Sequence, residues 1–191
     1  QIEERVQGIV HVSDVLKHLA VKANTYTNED RDDDMPLRVL LGLAFEEYAA
    51  RLYKTMWWQP GQLEYDDIVG SMDGLDHLGH EFNFNYCVDE FKYTGKSMRV
   101  KGGTADQLKD IRTEWMWMQQ GMAYLNLVRL NRARYRELYF RKINMCRFHI
   151  CWKYGNYTYP MLERYVRYLV EFSEAELRGN WAMLQANKHE V

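Results

Sequence analysis

The spacing of apolar and polar residues predicts four helices, with extended segments between the second and the third and between the third and the fourth. A helical period is predicted over four segments: residues 9–21, Pro36 to about Trp57, about 105–130, and a C-terminal segment ending near Asn187. Pro36 suits the first turn of a helix, because that position needs no N–H donor. Ser173 and Glu176 form a capping-box pattern, which predicts where the last helix begins.

Extended segments are predicted at 63–73, 81–93, 145–153 and 165–172, with turns at 74–76, 101–103 and 154–156. The segment 81–93 alternates most strongly. Its apolar face comprises Phe82, Phe84, Tyr86 and Val88, and its other face Asn83, Asn85 and Cys87. The order of elements predicts a single domain over 1–191 of the α/β or α+β class, with one mixed central β-sheet flanked by helices.

The alternating strand ends in a carboxylate and an ammonium. Period-2 geometry places Glu90 and Lys92 on the same side as Val88. Burying two charges is costly unless they pair with each other or bind a metal, so the pair is a candidate for a functional site. The alternative is that the sheet ends at Val88 and that both charged groups are in water.

A second carboxylate, Asp73, lies where an extended segment ends before Gly74. Taken alone, this aspartate is typical of an ordinary turn. If its strand is adjacent to the strand of Glu90 and Lys92, the two carboxylates form a hard-oxygen site of the kind that Mg²⁺ prefers. Lys92 beside them would orient or deprotonate a water and stabilise charge on a phosphate.

Asp73 together with Glu90-Phe91-Lys92 resembles the signature of the PD-(D/E)XK nucleases, whose restriction-endonuclease-like core is a mixed β-sheet flanked by helices. Gln120 and Tyr124 match the QxxxY motif of the RecB-like and lambda-exonuclease-like branch of that superfamily. Their i, i+4 spacing places them on one helical face. The alternative for this pair is a polar and an aromatic residue on an interface helix.

The segment from Gly42 to Ala49 is similar to the GxxxExxA pattern on the first core helix of the same branch. The main apolar stripe of that helix comprises Leu37, Leu41, Ala44, Phe45, Tyr48 and Leu52. Glu46 lies away from the stripe, on a face shared with Gly42, Ala49 and Tyr53. Small residues there would let the helix approach the sheet and aim Glu46 at the metal site. A solvated Glu46, or Glu47 in its place, remains open, and Met72 stands where the family often has Pro.

The resemblance implies a role for each matching residue. The implied ligands of Mg²⁺ or Mn²⁺ are Asp73, Glu90, the backbone carbonyl of Phe91, and Glu46 directly or through water. Lys92 would position and activate the hydrolytic water. Gln120 and Tyr124 would orient that water, the lysine or the scissile phosphate.

The overall charge argues against a strongly basic nucleic-acid binder, because 25 Lys and Arg face 27 Asp and Glu, a formal net charge of -2. Residues 129–147 nevertheless hold seven bases and one acid, a local +6, with aromatic residues interleaved. Such a segment suits phosphate contacts with base stacking, and its alternative is a solvated helix end. The predicted DNA-binding residues are Lys96, Arg99, Lys101, Arg129, Arg132, Arg134 and Arg136.

The remaining sequence features predict a cytoplasmic protein, in the host cytoplasm if the protein is viral. The longest apolar run, Val39 to Phe45, is far shorter than the roughly 18 residues of a membrane span. Charged residues interrupt any signal-peptide pattern in the first thirty positions. Three cysteines form no disulfide framework, and Cys146, His149 and Cys151 make a poor zinc site because His149 would face away from Cys146.

The resemblance implies a Mg²⁺-dependent deoxyribonuclease, an exonuclease on DNA ends that leaves 5′-phosphates, in viral or recombination and repair processing. An endonuclease or junction-cleaving enzyme on the same core is the alternative within enzymes. A DNA-binding or complex-forming protein that keeps the fold without turnover is the alternative outside them. Whether the protein forms a homo-oligomer or works with a recombination protein is left open.

Overall fold

The computed structural model describes residues 8–23, 35–52, 57–58, 61–79, 82, 85–94, 98–104, 107–134, 138, 141–154 and 161–191. Its helices are α1 (Val12–Lys22), α2 (Met35–Leu52), α3 (Trp115–Asn131) and α4 (Glu174–Asn187). Its strands are β1 (Val10–His11), β2 (Trp57–Trp58), β3 (Gln62–Tyr65), β4 (Ile68–Ser71), β5 (Gly74–His77), β6 (Tyr86–Thr94), β7 (Ile143–Tyr154) and β8 (Met161–Glu171). No helix within these ranges is both long and apolar enough to cross a membrane.

The described strands form two mixed sheets, which confirms a mixed α/β fold. The larger sheet has the order β2-β5-β6-β7-β8, in which only β6 and β7 are parallel. Helix α3 lies between these two strands in the chain, as a parallel crossover requires. The smaller sheet has the order β1-β4-β3.

The expected single sheet is wrong because the segment 63–73 is not one strand. Asp66 and Asp67 both have positive φ, 52° and 62°, and turn the chain back on itself between β3 and β4. Two consecutive residues of this conformation make the tight hairpin turn whose twist matches that of antiparallel strands. Strand β4 pairs with β3 and β1, whereas β5, which follows after Met72 and Asp73, pairs with β2 and β6 in the other sheet.

Three other boundaries differ from the predictions. The expected turn at 74–76 is strand β5, because its backbone pairs with β6 and, at Trp57–Trp58, with β2. The helix predicted to reach Trp57 therefore ends before it. Helix α3 begins at Trp115, since residues 98–104 pair their backbones with one another and with residues 107–109, and Asp110 accepts a hydrogen bond from the Arg112 N–H.

Several predicted elements are confirmed: the first helix, the strands β7 and β8, and the last helix. The strand predicted over 81–93 is confirmed from Tyr86 onwards as β6, whereas Phe82 lies in a turn before it. The capping box of Ser173 and Glu176 is complete at the start of α4. The turn at 101–103 is confirmed, with Gly102 at φ 76°. Of the turn predicted at 154–156, Tyr154 belongs to β7 and the other two residues lie outside the described residues.

Helices α2 and α3 pack on opposite faces of the larger sheet, so that strand β6 lies between them. Phe45 of α2 meets Phe91, whereas Gly121 of α3 comes close to Cys146 and Phe148. Helix α4 covers the far side of α3, where Asn126 donates to the Leu177 carbonyl at 2.9 Å. Because α3 has neighbours on several sides, residues 121–128 are all buried, and the helix needs no single apolar stripe.

Candidate metal centre

Asp73 lies beside the strand that carries Glu90 and Lys92, as predicted. Antiparallel pairing places Gly74 opposite Asp89, and Asp73 immediately precedes that pair. One oxygen of its carboxylate, Oδ2, accepts a hydrogen bond from the Phe91 N–H at 2.6 Å. This charge-assisted bond fixes Asp73 against the middle of β6.

The alternative of a sheet that ends at Val88 is wrong. Strand β6 continues to Thr94, and Glu90 is only 1% exposed. The Lys92 ammonium donates to Glu90 Oε2 at 2.6 Å and to Gln120 Oε1 at 2.9 Å. Glu90 and Lys92 thus form a nearly buried ion pair on the face of the sheet that α3 covers.

Gln120 and Tyr124 share one face of α3 and extend this group, as their spacing predicts. Because a lysine only donates, Gln120 presents its carbonyl oxygen to Lys92 and leaves its NH₂ group free for a second bond. That NH₂ group donates to the Tyr124 hydroxyl at 2.8 Å. Gly70 in β4 makes room for the Tyr124 ring, since a Cβ at Gly70 would lie 2.6 Å from it.

Glu46, rather than Glu47, faces this group. The pKa of Glu46 is raised to about 7 by burial and by the Asp73 carboxylate, while Lys92 opposes the change. Glu47 instead pairs with Arg51 one helical turn away and is exposed. Of the two glutamates that the sequence offered for the metal site, the structure therefore favours Glu46.

The predicted apolar stripe of α2 is wrong. Among the stripe residues whose side chains are described, Leu41 and Tyr48 are 36% and 61% exposed, Ala44 is exposed as well, and Phe45 meets the sheet. Gly42 does not allow a close approach, since a Cβ there would meet nothing within 4 Å in the described structure. The side chains of Ala49 and Tyr53 lie outside the description. Because α2 is apolar on nearly every side, its periodicity did not identify the buried face.

The site contains more acidic than basic side chains. Burial raises the pKa of Glu90 to about 8, although Lys92 counteracts the effect, and Asp73 and Glu46 reinforce it. Burial likewise raises the pKa of Asp73. Burial works to lower the pKa of Lys92, but Glu90 and Asp73 outweigh it, so that pKa is raised. Three carboxylates around one ammonium favour a bound cation.

The donor atoms fit a small hard cation. Within the described residues, Glu90 Oε1 is buried and has no hydrogen-bond partner, which leaves a charged oxygen available to a ligand. No three His, Cys, Asp or Glu side chains in the described ranges form a ready-made metal cluster. Mg²⁺ does not require one, because it usually keeps several waters and takes one or two carboxylates plus substrate oxygens.

The opposite face of the same strands carries a polar network that the sequence analysis did not identify. Asp89 accepts hydrogen bonds from Arg147 Nε at 2.6 Å and Nη2 at 2.9 Å, and Arg147 also pairs with Asp76. His149 contacts Asp89 at 2.8 Å and the Tyr165 hydroxyl at 2.6 Å. Alternation was the available signal, since Arg147 and His149 alternate with the apolar residues Cys146, Phe148 and Ile150 in β7.

The predicted DNA-binding residues are not equally accessible. Arg132 and Arg134 are exposed after α3, and Lys101 is exposed in its turn. Arg99 is half-buried, and Arg129 pairs with Glu174 at 2.7 Å. Lys96 and Arg136 lie outside the described residues. Arg147, which contributed to the basic count of 129–147, is neutralised inside the fold by the two aspartates.

No protein-family model matches this chain, and no curated protein matches it significantly.

Proposed function

We propose that this protein is a metal-dependent DNA nuclease of the PD-(D/E)XK type, acting as an exonuclease on DNA ends. The restriction-endonuclease-like core and the 5′-phosphate product belong to the same proposal. One observation carries it: Asp73, Glu90, Lys92, Gln120 and Tyr124, which are distant in sequence, meet in a single group with one carboxylate oxygen unpartnered.

In this proposal Asp73 and Glu90 hold Mg²⁺ or Mn²⁺, with the Phe91 carbonyl and Glu46 as further oxygen donors. The bound ion would supply Lewis-acid polarisation of the phosphate and stabilise charge on the leaving oxygen. Glu90 has one oxygen towards Lys92 and the other unpartnered, so it contributes to the ion and the lysine at once.

Lys92 is best assigned as a hydrogen-bond donor and positive charge. Its pKa is raised by Glu90 and Asp73, which outweigh burial, so the side chain is an ammonium and not a free base at neutral pH. An ammonium in this position orients the water through hydrogen bonds and stabilises negative charge on the phosphate. Gln120 and Tyr124 restrict its direction through the bonds that link the three side chains.

The test is cleavage of end-labelled linear duplex and closed circular duplex DNA with Mg²⁺, Mn²⁺ or EDTA. We expect degradation of the linear DNA only, dependent on either ion, with release of 5′-phosphorylated products. Lys92→Ala should abolish it, whereas Lys22→Ala, which removes an exposed lysine paired with Glu190, should not. Nicking of circles would indicate an endonuclease instead. The proposal fails if neither DNA is cut, or if Lys92→Ala cuts as well as the parent.

A further inference from the structure

We propose that Phe45, Phe91, His149 and Tyr165 form a positioning cluster that holds Glu46 in reach of the metal-binding carboxylates. This inference rests on the proposed function and deepens it. The cluster lies between α2 and the larger sheet, on the face opposite Gln120 and Tyr124. None of its side chains is assigned a contact with DNA or metal.

Phe45 anchors α2 to the sheet. Its ring meets the Phe91 ring edge-on at a centroid distance of 5.9 Å and the Tyr165 ring at 6.3 Å. Other apolar side chains of the helix face outwards, namely Leu40, Leu41, Leu43 and Tyr48. Glu46 is the next residue along the chain. The position of the Phe45 ring on the sheet therefore determines where the Glu46 carboxylate lies.

Hydrogen bonds fix the rings against which Phe45 packs. The Asp89 carboxylate is an acceptor and is already held by Arg147, so His149 directs a ring N–H at Asp89 through Nε2. Its Nδ1 then accepts the Tyr165 hydroxyl proton, at 2.6 Å. Tyr165 is 43% exposed, and this bond prevents its ring from turning into solvent.

Phe91 connects the two carboxylates. Its backbone N–H binds Asp73, and its ring contacts both Phe45 and, at 4.5 Å, the His149 ring. Asp73 and Glu46 are therefore positioned by the same residue, one through its main chain and one through its side chain. The two acids repel each other, so Glu46 would move away from Asp73 if the aromatic contact were lost.

The test is Mg²⁺ and Mn²⁺ affinity, measured by titration calorimetry without DNA. We expect Phe45→Ala to weaken binding about tenfold, as Glu46→Gln does, a loss typical of residues that orient metal ligands. In the Glu46→Gln background, Phe45→Ala should cause no further loss, because the carboxylate that it positions is already absent. Tyr165→Phe keeps the ring but removes the bond to His149, and should weaken binding by a smaller factor. The matched control is Leu43→Ala, an exposed position of the same helix.

Additive losses in the double variant, or a Phe45→Ala affinity equal to that of Leu43→Ala, would overturn the inference. If Phe45→Ala does not fold, Tyr165→Phe decides, and parent-like affinity in that variant refutes the cluster's role. A parent protein that binds neither metal would refute the proposed function itself, and the positioning inference with it.

Discussion

Without a bound metal, the buried carboxyl group of Glu90 lowers the stability of the folded protein. Its Oε1 atom is buried and unpartnered within the described structure, and an unsatisfied buried group of this kind costs on the order of 1–3 kcal/mol. The cost persists because the Glu90 backbone belongs to a central strand and the residue is only 1% exposed. A cation at this oxygen would remove the cost, so metal binding and stability are expected to be coupled.

That coupling predicts the pH dependence of stability without metal. Burial raises the pKa of Glu90 to about 8 and of Glu46 to about 7, above unfolded values of roughly 4.3. The folded state therefore binds more protons than the unfolded state between these values. The stability from this effect is present in full below about pH 4 and is lost progressively as the pH rises from there through the folded pKa values of about 7 and 8. We expect the unfolding temperature in EDTA to fall over that range, and to fall less in Glu90→Gln.

Added Mg²⁺ should reverse the trend. Because the metal displaces the carboxyl protons, its affinity rises with pH, and the increase in unfolding temperature that it causes should be larger at about pH 8 than at about pH 6. Calorimetry in buffers of different ionisation enthalpy measures the protons released. Equal stabilisation at both pH values, without proton release, would contradict the assignment of Glu46 and Glu90 as ligands.

Tyr124→Phe tests the hydrogen bonds around Lys92. The substitution keeps the buried ring but removes the hydroxyl that accepts from Gln120, so the amide and the Lys92 ammonium lose their fixed direction. We expect DNA cleavage to fall about tenfold in single-turnover measurements, with Mg²⁺ affinity unchanged. A loss of metal affinity instead would indicate that Tyr124 supports the carboxylates and not the lysine.

At the scale of elements, the contact between α3 and β7 determines whether these residues meet. A Cβ at Gly121 would lie 2.8 Å from the Phe148 ring and 3.0 Å from Cys146 Sγ. Gly121→Ala should therefore shift the helix that carries Gln120 and Tyr124, destabilise the protein by about 1–3 kcal/mol and reduce cleavage. Chemical denaturation and cleavage rates measure both effects.

Gly179→Ala in α4 is the matched control. A Cβ at Gly179 would meet nothing within 4 Å in the described structure, so alanine should stabilise that helix by up to about 1 kcal/mol. Cleavage by this variant should equal that of the parent. If both glycine variants behave alike, helix propensity and not the approach of α3 to the sheet explains the effect.

The elements differ in how far the sequence predicted them. Strand β6 and the cap of α4 were predictable, because period-2 alternation and the Ser173–Glu176 pair are local patterns. Strand β5 was not, since Gly74 resembles a turn residue until its pairing with β6 is known. The buried face of α2 was not predictable either, because an apolar helix has no single preferred side.

The residues of the candidate site also differ in how far the sequence predicted them. Asp73, Glu90 and Lys92 were found because strand ends and alternation placed them together. The Asp89–His149–Tyr165 chain was missed because it joins three strands, and its contacts depend on the register of β6 against β7 and of β7 against β8. Single-sequence patterns contain no information about that register.

At the scale of the whole molecule, the net charge of -2 conceals where positive charge is accessible. Arg147 is neutralised inside the sheet, and Arg129 pairs with Glu174. Arg132 and Arg134 are exposed after α3, about 15–20 Å along the helix from Gln120. A DNA strand that reaches both regions would extend several nucleotides past the cleaved bond.

The salt dependence of binding tests that path. Replacing a lysine or arginine that contacts phosphate weakens binding and makes the slope of log affinity against log salt shallower by about 0.9 per contact. We expect Arg132→Gln with Arg134→Gln to weaken duplex binding and to reduce the slope by about 2, measured by fluorescence anisotropy in Ca²⁺ or EDTA. Arg112→Gln is the control, because Arg112 is an exposed arginine that precedes α3 and so lies at the opposite end of that helix. If the double variant keeps the parent's slope, DNA does not follow the end of α3, and the basic count of 129–147 reflects a solvated helix end.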